Sequence, residues 1–105
     1  MFQGMEYVYE VYKERSFSKA AANLFISQPS LSANVKRIEK KIGYPIFDRS
    51  TKPLGLTECG QHYIDAVEHI MQVENGFHDF VNDWSNLKTG QLILEVGGQA
   101  VLGRQ

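Results

Sequence analysis

One short segment carries the side chains best suited to binding a polyanion. Between residues 28 and 42, one side of a predicted helix presents small and polar residues first and basic residues further along: Pro29, Ser30, Ala33, Lys36, Arg37 and Lys40. Lysine and arginine bind phosphate oxygens, and small residues let a helix backbone approach a flat partner closely. The pattern is typical of a helix that docks into a groove lined by phosphates.

Other candidate chemistry is weak. Cys59 and His62 lie three residues apart, but no third group stands ready to orient a nucleophile and base. His62, His69 and His78 are spaced too widely for a helical metal pair, and they are interpreted as solvated side chains. We therefore expect no enzyme, no metal site and no cofactor.

The charge of the chain is unevenly distributed. The formal net charge is only −1, yet residues 15–57 sum to +6, because eight Lys and Arg stand against Glu39 and Asp48. Residues 1–14 and 58–105 sum to −2 and −5. A basic middle between acidic ends favours one surface built for a polyanion.

With 43% hydrophobic residues the composition is that of an ordinary globular protein, which excludes wholesale disorder. The chain has no apolar run long enough to span a membrane.

Three short helices are predicted in the first half. The first covers residues 2–14, where Met5, Val8, Val11 and Tyr12 define one apolar face. The second opens at Phe17–Ser18, with Ser18 as the predicted N-cap. The third is capped by Ser27 and ended by Gly43, and its buried stripe is Leu31, Val35, Ile38 and Ile42.

Residues 46–56 predict a small β-ribbon, or wing. Two short apolar pieces flank a polar, basic tip that includes Arg49 and Lys52, and the prolines at 45 and 53 exclude a helix. Two helices joined by a tight turn and followed by such a ribbon are the parts of a winged helix-turn-helix, in which the third helix enters the major groove.

A long helix is predicted from the Thr57 cap to about Leu87. Its apolar stripe extends further than a small winged domain can cover, so we expect it to pair with a second copy of itself. The alternative is that the helix folds back on its own domain. The predicted dimer residues are Tyr63, Val67, Ile70, Phe77, Val81 and Trp84, with Val73, Phe80 and Leu87 in a second row. Residues 88–90 are expected to break the helix, and residues 91–96 are expected to form a strand that begins a further domain.

These elements sum to a mainly α fold. We predict a winged helix-turn-helix domain over residues 1–57, a long dimerisation helix over 58–88, and the start of a further domain over 89–105, with a terminal strand. The strand looks half-finished, so we expect the natural protein to continue past Gln105.

A helix, a turn and the start of the next helix are contained in the run Ser16-Phe17-Ser18-Lys19-Ala20-Ala21-Ala22-Asn23-Leu24-Phe25-Ile26-Ser27-Gln28-Pro29-Ser30-Leu31-Ser32. This run resembles the N-terminal signature of LysR-type transcriptional regulators. The resemblance continues without gaps through Pro45-Ile46-Phe47-Asp48-Arg49 and Leu56-Thr57-Glu58-Cys59-Gly60, and it covers about residues 5–90.

The resemblance implies sequence-specific binding of double-stranded DNA in the cytoplasm, in association with the nucleoid. Ser27, Gln28, Pro29 and Ser32 match the start of the family's recognition helix, and Arg49 and Lys52 match its wing bases. The implied partners are an operator built as an interrupted inverted repeat and a second copy bound through the linker helix, and a tetramer is open to the full-length protein. The resemblance implies no membrane partner and assigns the small-molecule effector to the C-terminal domain alone.

One other class is compatible with the sequence. The long helix could serve an adaptor or protein-interaction module, in which case the basic surface would be incidental. A salt-dependent duplex-binding assay separates the two hypotheses.

Overall fold

The computed structural model describes the backbone of residues 1–94 and the side chains of residues 1–87. Its elements in chain order are α1 (Met5–Glu14), α2 (Phe17–Asn23), α3 (Gln28–Ile42), β1 (Phe47–Asp48), β2 (Gly55–Leu56) and α4 (Glu58–Leu94). The expected fold class, a mainly helical winged helix-turn-helix followed by a long helix, is confirmed. The chain divides into two units, Met1–His69 and Ile70–Gln105.

The first unit holds the hydrophobic core. Every helix and the wing contribute to it, with Val8, Val11, Ala20, Ala21, Leu31, Val35, Ile38, Ile46, Phe47, Tyr63, Ile64 and Val67 buried. The predicted apolar stripe of α3 is buried at its first three positions, while Ile42 is half-buried. The two buried alanines of α2 keep that helix thin, which lets it pack tightly between its neighbours.

The N-terminus of α2 differs from the prediction. Ser16, not Ser18, is the N-cap: its backbone is extended and its hydroxyl accepts from the Lys19 N–H at 3.2 Å. Phe17 is therefore the first residue of the helix rather than the residue before its cap. Both serines can cap a helix. When the helix starts at Phe17, the Phe17 ring packs against the Phe47 ring, with ring centroids 5.8 Å apart. The first helix likewise begins at Met5, not at residue 2, after Gly4 with φ 84°.

A Schellman turn joins α2 to α3. The Ile26 N–H donates to the Ala21 carbonyl and the Phe25 N–H to the Ala22 carbonyl, at 3.1 and 3.2 Å. This motif needs a left-handed residue, usually glycine, and here Phe25 takes it with φ 58°. Its side chain is 94% exposed. The sharp change of direction places the start of α3 at the surface.

Both predicted caps of α3 are confirmed. The Ser27 hydroxyl accepts from the Ser30 N–H at 3.2 Å, Pro29 lies in the first turn, and Gly43 ends the helix with φ 94°. Lys40 and Lys41 occupy the last turn, where the helix dipole favours a positive charge.

The wing and the start of α4 are joined at one point. Strands β1 and β2 pair antiparallel, with Phe47 opposite Leu56. The Thr57 N–H donates to the Ile46 carbonyl at 3.0 Å, and the Thr57 hydroxyl accepts from the Gly60 N–H at 2.9 Å, which confirms the predicted cap. A Cβ at Gly60 would lie 1.9 Å from the Ile46 carbonyl oxygen, so only glycine permits this approach.

The end of α4 was predicted wrongly. The helix does not break at Lys88–Gly90 but continues to Leu94, so residues 91–94 are helical and not part of a terminal strand. The remaining residues of the predicted strand, Glu95 and Val96, lie outside the described part of the chain. A glycine inside a helix costs only about 1 kcal/mol relative to alanine, which does not end a long helix.

Candidate nucleic-acid interface

The first turns of α3 present small polar groups at the surface. Ser27, Gln28, Pro29, Ser30 and Ala33 are exposed, and Ser32 is half-buried. The Ser27 hydroxyl donates to the Ser30 hydroxyl at 2.9 Å in addition to capping the helix, so these two serines hold each other in place. The helix start therefore offers a rigid edge with the Gln28 amide as its longest polar group.

The later turns of α3 carry the positive charge. Lys36, Arg37 and Lys40 are all exposed, as the sequence predicts. Arg37 Nη1 donates to Asn34 Oδ1 at 2.7 Å, which restrains the guanidinium against its own helix. Asn34 was missed in the sequence analysis, although its position three residues before an arginine is a signal for such a contact.

The wing tip is organised around Asp48. The Ser50 hydroxyl and backbone N–H donate to Asp48 Oδ1 at 2.5 and 3.0 Å, and these bonds hold the pKa of the Asp48 carboxyl below its ordinary value. Lys52 is exposed beyond this turn. Just before the second strand, Arg15 Nη1 donates to the Leu54 carbonyl at 3.1 Å. Arg15 was not predicted to touch the wing.

Arg49, the other predicted wing base, is exposed but also contacts side chains of its own domain. Its Nη1 lies 3.6 Å from Glu39 Oε2, and its guanidinium carbon lies 5.1 Å from the centre of the Phe17 ring. The same Glu39 oxygen accepts from the Ile46 and Phe47 N–H groups at 2.7 and 3.3 Å. Sequence reasoning missed Glu39, although it is the one acid among the four bases of α3.

Two of the predicted dimer residues belong to the core instead. Tyr63 is 6% exposed, stacks on Phe2 with ring centroids 5.0 Å apart, and donates its hydroxyl to the Met1 carbonyl at 3.1 Å. Burial, assisted by the charge of Glu6, raises the pKa of Tyr63 to about 12. Val67 is fully buried. Because their own chain covers both, the assignment of Tyr63 and Val67 to a dimer interface is corrected.

The predicted dimer residues of the second unit lie at its surface. Phe77, Val81 and Trp84 are exposed, and so are three neighbours of the second apolar row, Val73, Phe80 and Leu87. The Phe80 ring stacks against those of Phe77 and Trp84, with centroids 6.4 and 6.3 Å away. Ile70, at the start of this unit, is half-buried.

The described side chains, those of residues 1–87, include no group of three or more His, Cys, Asp or Glu arranged to hold a metal ion. Within residues 1–94, no helix has the length and apolar character needed to cross a membrane.

Comparison with protein families identifies the family of this chain. The family described as "Bacterial regulatory helix-turn-helix protein, lysR family" matches residues 2–61, more than half of the chain. The chain belongs to the LysR family. The matched residues run from the segment before α1 to the first turn of α4, so the family match covers the helix-turn-helix and the wing.

The LysR relatives are transcriptional regulators. The HTH-type transcriptional activator CmpR of Synechocystis is 37% identical over 79 residues, which are 75% of this chain and 26% of that protein. The HTH-type transcriptional regulator BudR of Klebsiella aerogenes is 43% identical over 71 residues, 68% of this chain and 50% of that protein. The chain thus spans about a quarter to a half of the length of these curated relatives.

Solved LysR structures share the fold, and some contain DNA. The DNA-binding domain of BenM in complex with catB site 1 DNA superposes with a TM-score of 0.66 at 27% identity, covering 87% of this chain and 95% of that one. Vibrio fischeri DarR in complex with DNA gives a TM-score of 0.61 at 31% identity, covering 78% of this chain and 28% of that one.

Proposed function

We propose that this chain is the DNA-binding part of a LysR-type transcriptional regulator and that α3 is its recognition helix. One observation carries the proposal: the face of α3 that the core leaves exposed is the face with the small polar start and the basic stripe. A B-DNA major groove admits one α-helix, and this surface has both the shape and the charge to enter it. The role is binding and not catalysis.

The two ends of the recognition helix have different tasks. The early residues Gln28, Pro29, Ser30, Ser32 and Ala33 face base edges, with Ser27 holding the helix start. Gln28 can pair with an adenine through its amide, and Ala33 can contact a thymine methyl group. Lys36, Arg37 and Lys40 lie further along, where a docked helix runs beside the phosphates.

The wing supplies a flanking contact. Lys52 lies exposed at its tip and reaches the backbone or the minor groove beside the helix site. A regulator that binds an operator in this way acts in the cytoplasm, on the nucleoid.

A dimer is the working form of the protein. We assign residues 58–88 to the linker and residues 89–105 to the start of an effector-binding domain. The interface is formed by Ile70, Phe77, Val81 and Trp84. Two recognition helices related by a two-fold axis then read an interrupted inverted repeat. A small-molecule effector acts through the C-terminal domain of the full regulator, which also allows a tetramer.

The test begins with selection of bound duplexes from a random library by the unaltered chain. The affinities of variants are then measured on the selected duplex and on a scrambled duplex of equal length. Gln28→Ala should cost roughly 1–3 kcal/mol on the selected duplex only, because it removes a base contact.

A second variant tests the phosphate contacts. Lys36→Ala should weaken both duplexes alike and flatten the salt dependence by about one unit. Lys13→Ala, on α1, is the matched control and should change neither measurement. Equal losses on both duplexes for Gln28→Ala would refute the division between base and phosphate contacts.

A further inference from the structure

The acidic side chain of Glu39 occupies an unexpected place in a basic helix. A carboxylate beside a DNA-binding surface repels phosphate and so weakens DNA binding. Its presence on this helix therefore calls for a structural role that offsets this cost. Glu39 is turned toward the wing and is only 11% exposed. Its Oε2 accepts from the Ile46 and Phe47 N–H groups, at the point where the chain enters β1.

Arg49 completes the contact from the wing side. Its Nη1 reaches the same Glu39 oxygen at 3.6 Å, and its guanidinium lies over the Phe17 ring of α2. Phe17 in turn meets the edge of Phe47 on β1. One carboxylate and one guanidinium therefore connect the wing with both helices of the helix-turn-helix.

The wing needs such anchors. Each of its strands is two residues long, and a two-stranded ribbon of that size has little stability of its own. The Glu39–Arg49 contact anchors the first strand. The hydrogen bond from Arg15 to the Leu54 carbonyl anchors the residue just before the second strand.

We propose that the Glu39–Arg49 pair positions the wing against the recognition helix and thereby determines which base pairs flanking the helix site are accepted. Arg49 is a positioning residue, and Lys52 supplies the phosphate contact of the wing. This inference rests on the proposed DNA-binding function.

The variant Glu39→Gln gives opposite results under the two hypotheses. If Arg49 only binds phosphate, loss of a negative charge and release of Arg49 tighten binding to every duplex. If the pair positions the wing, affinity for the selected duplex falls about tenfold, comparable to one mismatched base pair, while affinity for the scrambled duplex stays equal or rises. A repeated selection with Glu39→Gln should then lose the base preference at the flanking positions. Glu58→Gln, an exposed acid of α4, is the matched control.

Two variants that each remove one positive charge from the wing sharpen the test. Lys52→Gln should flatten the salt slope by about 0.9, as expected for the loss of one phosphate contact. Arg49→Gln removes the same charge but should leave the slope unchanged within about 0.3 and abolish the flanking preference. Equal flattening of the slope in both variants would overturn the assignment of Arg49.

A measurement on the protein without DNA shows whether each variant still folds. It also tests the positioning role of the Glu39–Arg49 pair separately from the proposed DNA-binding function. Amide hydrogen exchange at residues 50–56 should become faster in Glu39→Gln and in Arg49→Gln, while the amides of α1 keep their protection. Unchanged exchange in the wing would overturn the inference. Failure of the unaltered chain to bind any duplex would overturn the proposed function instead, and the exchange measurement would still decide the positioning role.

Discussion

The two units of this chain treat the same kinds of side chain differently. In residues 1–69 the large apolar residues of the core are covered by their own chain: Leu31 and Ile64, for example, are fully buried. In residues 72–87 the apolar positions of α4 are open to solvent, with Phe77 at 65% and Leu87 at 58% exposure. The spacing of apolar residues reveals that a face exists in both units. It does not reveal whether the chain itself or a second molecule covers that face.

The largest expected effect comes from leucine truncation in the first unit. Leu31→Ala should lower the free energy of unfolding by about 3–4 kcal/mol, because it opens a cavity in a fully packed core. Leu87→Ala should lower it by less than about 1 kcal/mol, since most of that side chain is already hydrated. Chemical denaturation of both variants measures the contrast, and similar losses would mean that the two units are packed alike.

Glycine replacement extends the comparison to the backbone. Gly60→Ala should destabilise the protein by about 2–3 kcal/mol, because the new Cβ collides with the Ile46 carbonyl oxygen. A Cβ at Gly76 meets nothing within 4 Å, so Gly76→Ala should stabilise α4 by about 0.5–1 kcal/mol. Thermal unfolding should move in opposite directions for the two variants. A stabilising Gly60→Ala would show that α4 does not approach the wing this closely.

Glutamate substitutions test whether the exposed apolar stripe of α4 forms the dimer interface. Replacing Phe77 and Trp84 together by Glu should weaken dimer formation more than about a hundredfold, about 2.7 kcal/mol, because two carboxylates would have to be buried in the interface. Sedimentation velocity should then give the mass of a monomer.

A matched pair of substitutions controls for the added charge. Gln72→Glu with Asn82→Glu places two new carboxylates on exposed positions of the same helix outside its apolar rows, and the dimer should persist. An unchanged dimer in the Phe77 and Trp84 variant would refute the proposed interface.

The smallest effect concerns alkaline pH and the buried Tyr63. Its pKa rises from 10.0 to about 12 on folding, so the folded state holds the phenolic proton more tightly than the unfolded chain. The stability contribution is complete below pH 10 and is lost as the pH rises toward 12. Between pH 8 and pH 11 the parent should lose about 1.4 kcal/mol that Tyr63→Phe does not lose. Urea unfolding at both pH values measures this, with Tyr44→Phe, at an exposed position, as the control that should keep the parent loss.

Local signals account for the elements that were predicted correctly. Ser27, Pro29 and Gly43 mark the ends of α3 because capping depends on side chains within one helical turn. The prolines and the glycine in and beside the wing exclude a helix there, and this effect also depends only on neighbouring residues. Ser16 and Ser18 could not be distinguished in this way, since both satisfy the same rule and only the packing of Phe17 separates them.

The end of α4 illustrates a different failure. Thr89 and Gly90 were interpreted as a break, and the β-branched and apolar residues after them as a strand. A lone strand gains no ladder hydrogen bonds, whereas a helix that is already formed adds one bond with each residue. Continuation to Leu94 is therefore the lower-energy outcome for the described part of this segment.

The sequence by itself determined the class of the fold, the exposed basic face of α3 and the family, because periodicity, capping and the signature run are all written in neighbouring residues. Tertiary structure alone decided three matters. It placed Tyr63 and Val67 in the core and not at a partner surface, it paired Arg49 with Glu39, and it brought Gly60 against Ile46. Each depends on contacts between residues distant in the chain or on the direction of a side chain, and spacing along the sequence contains neither.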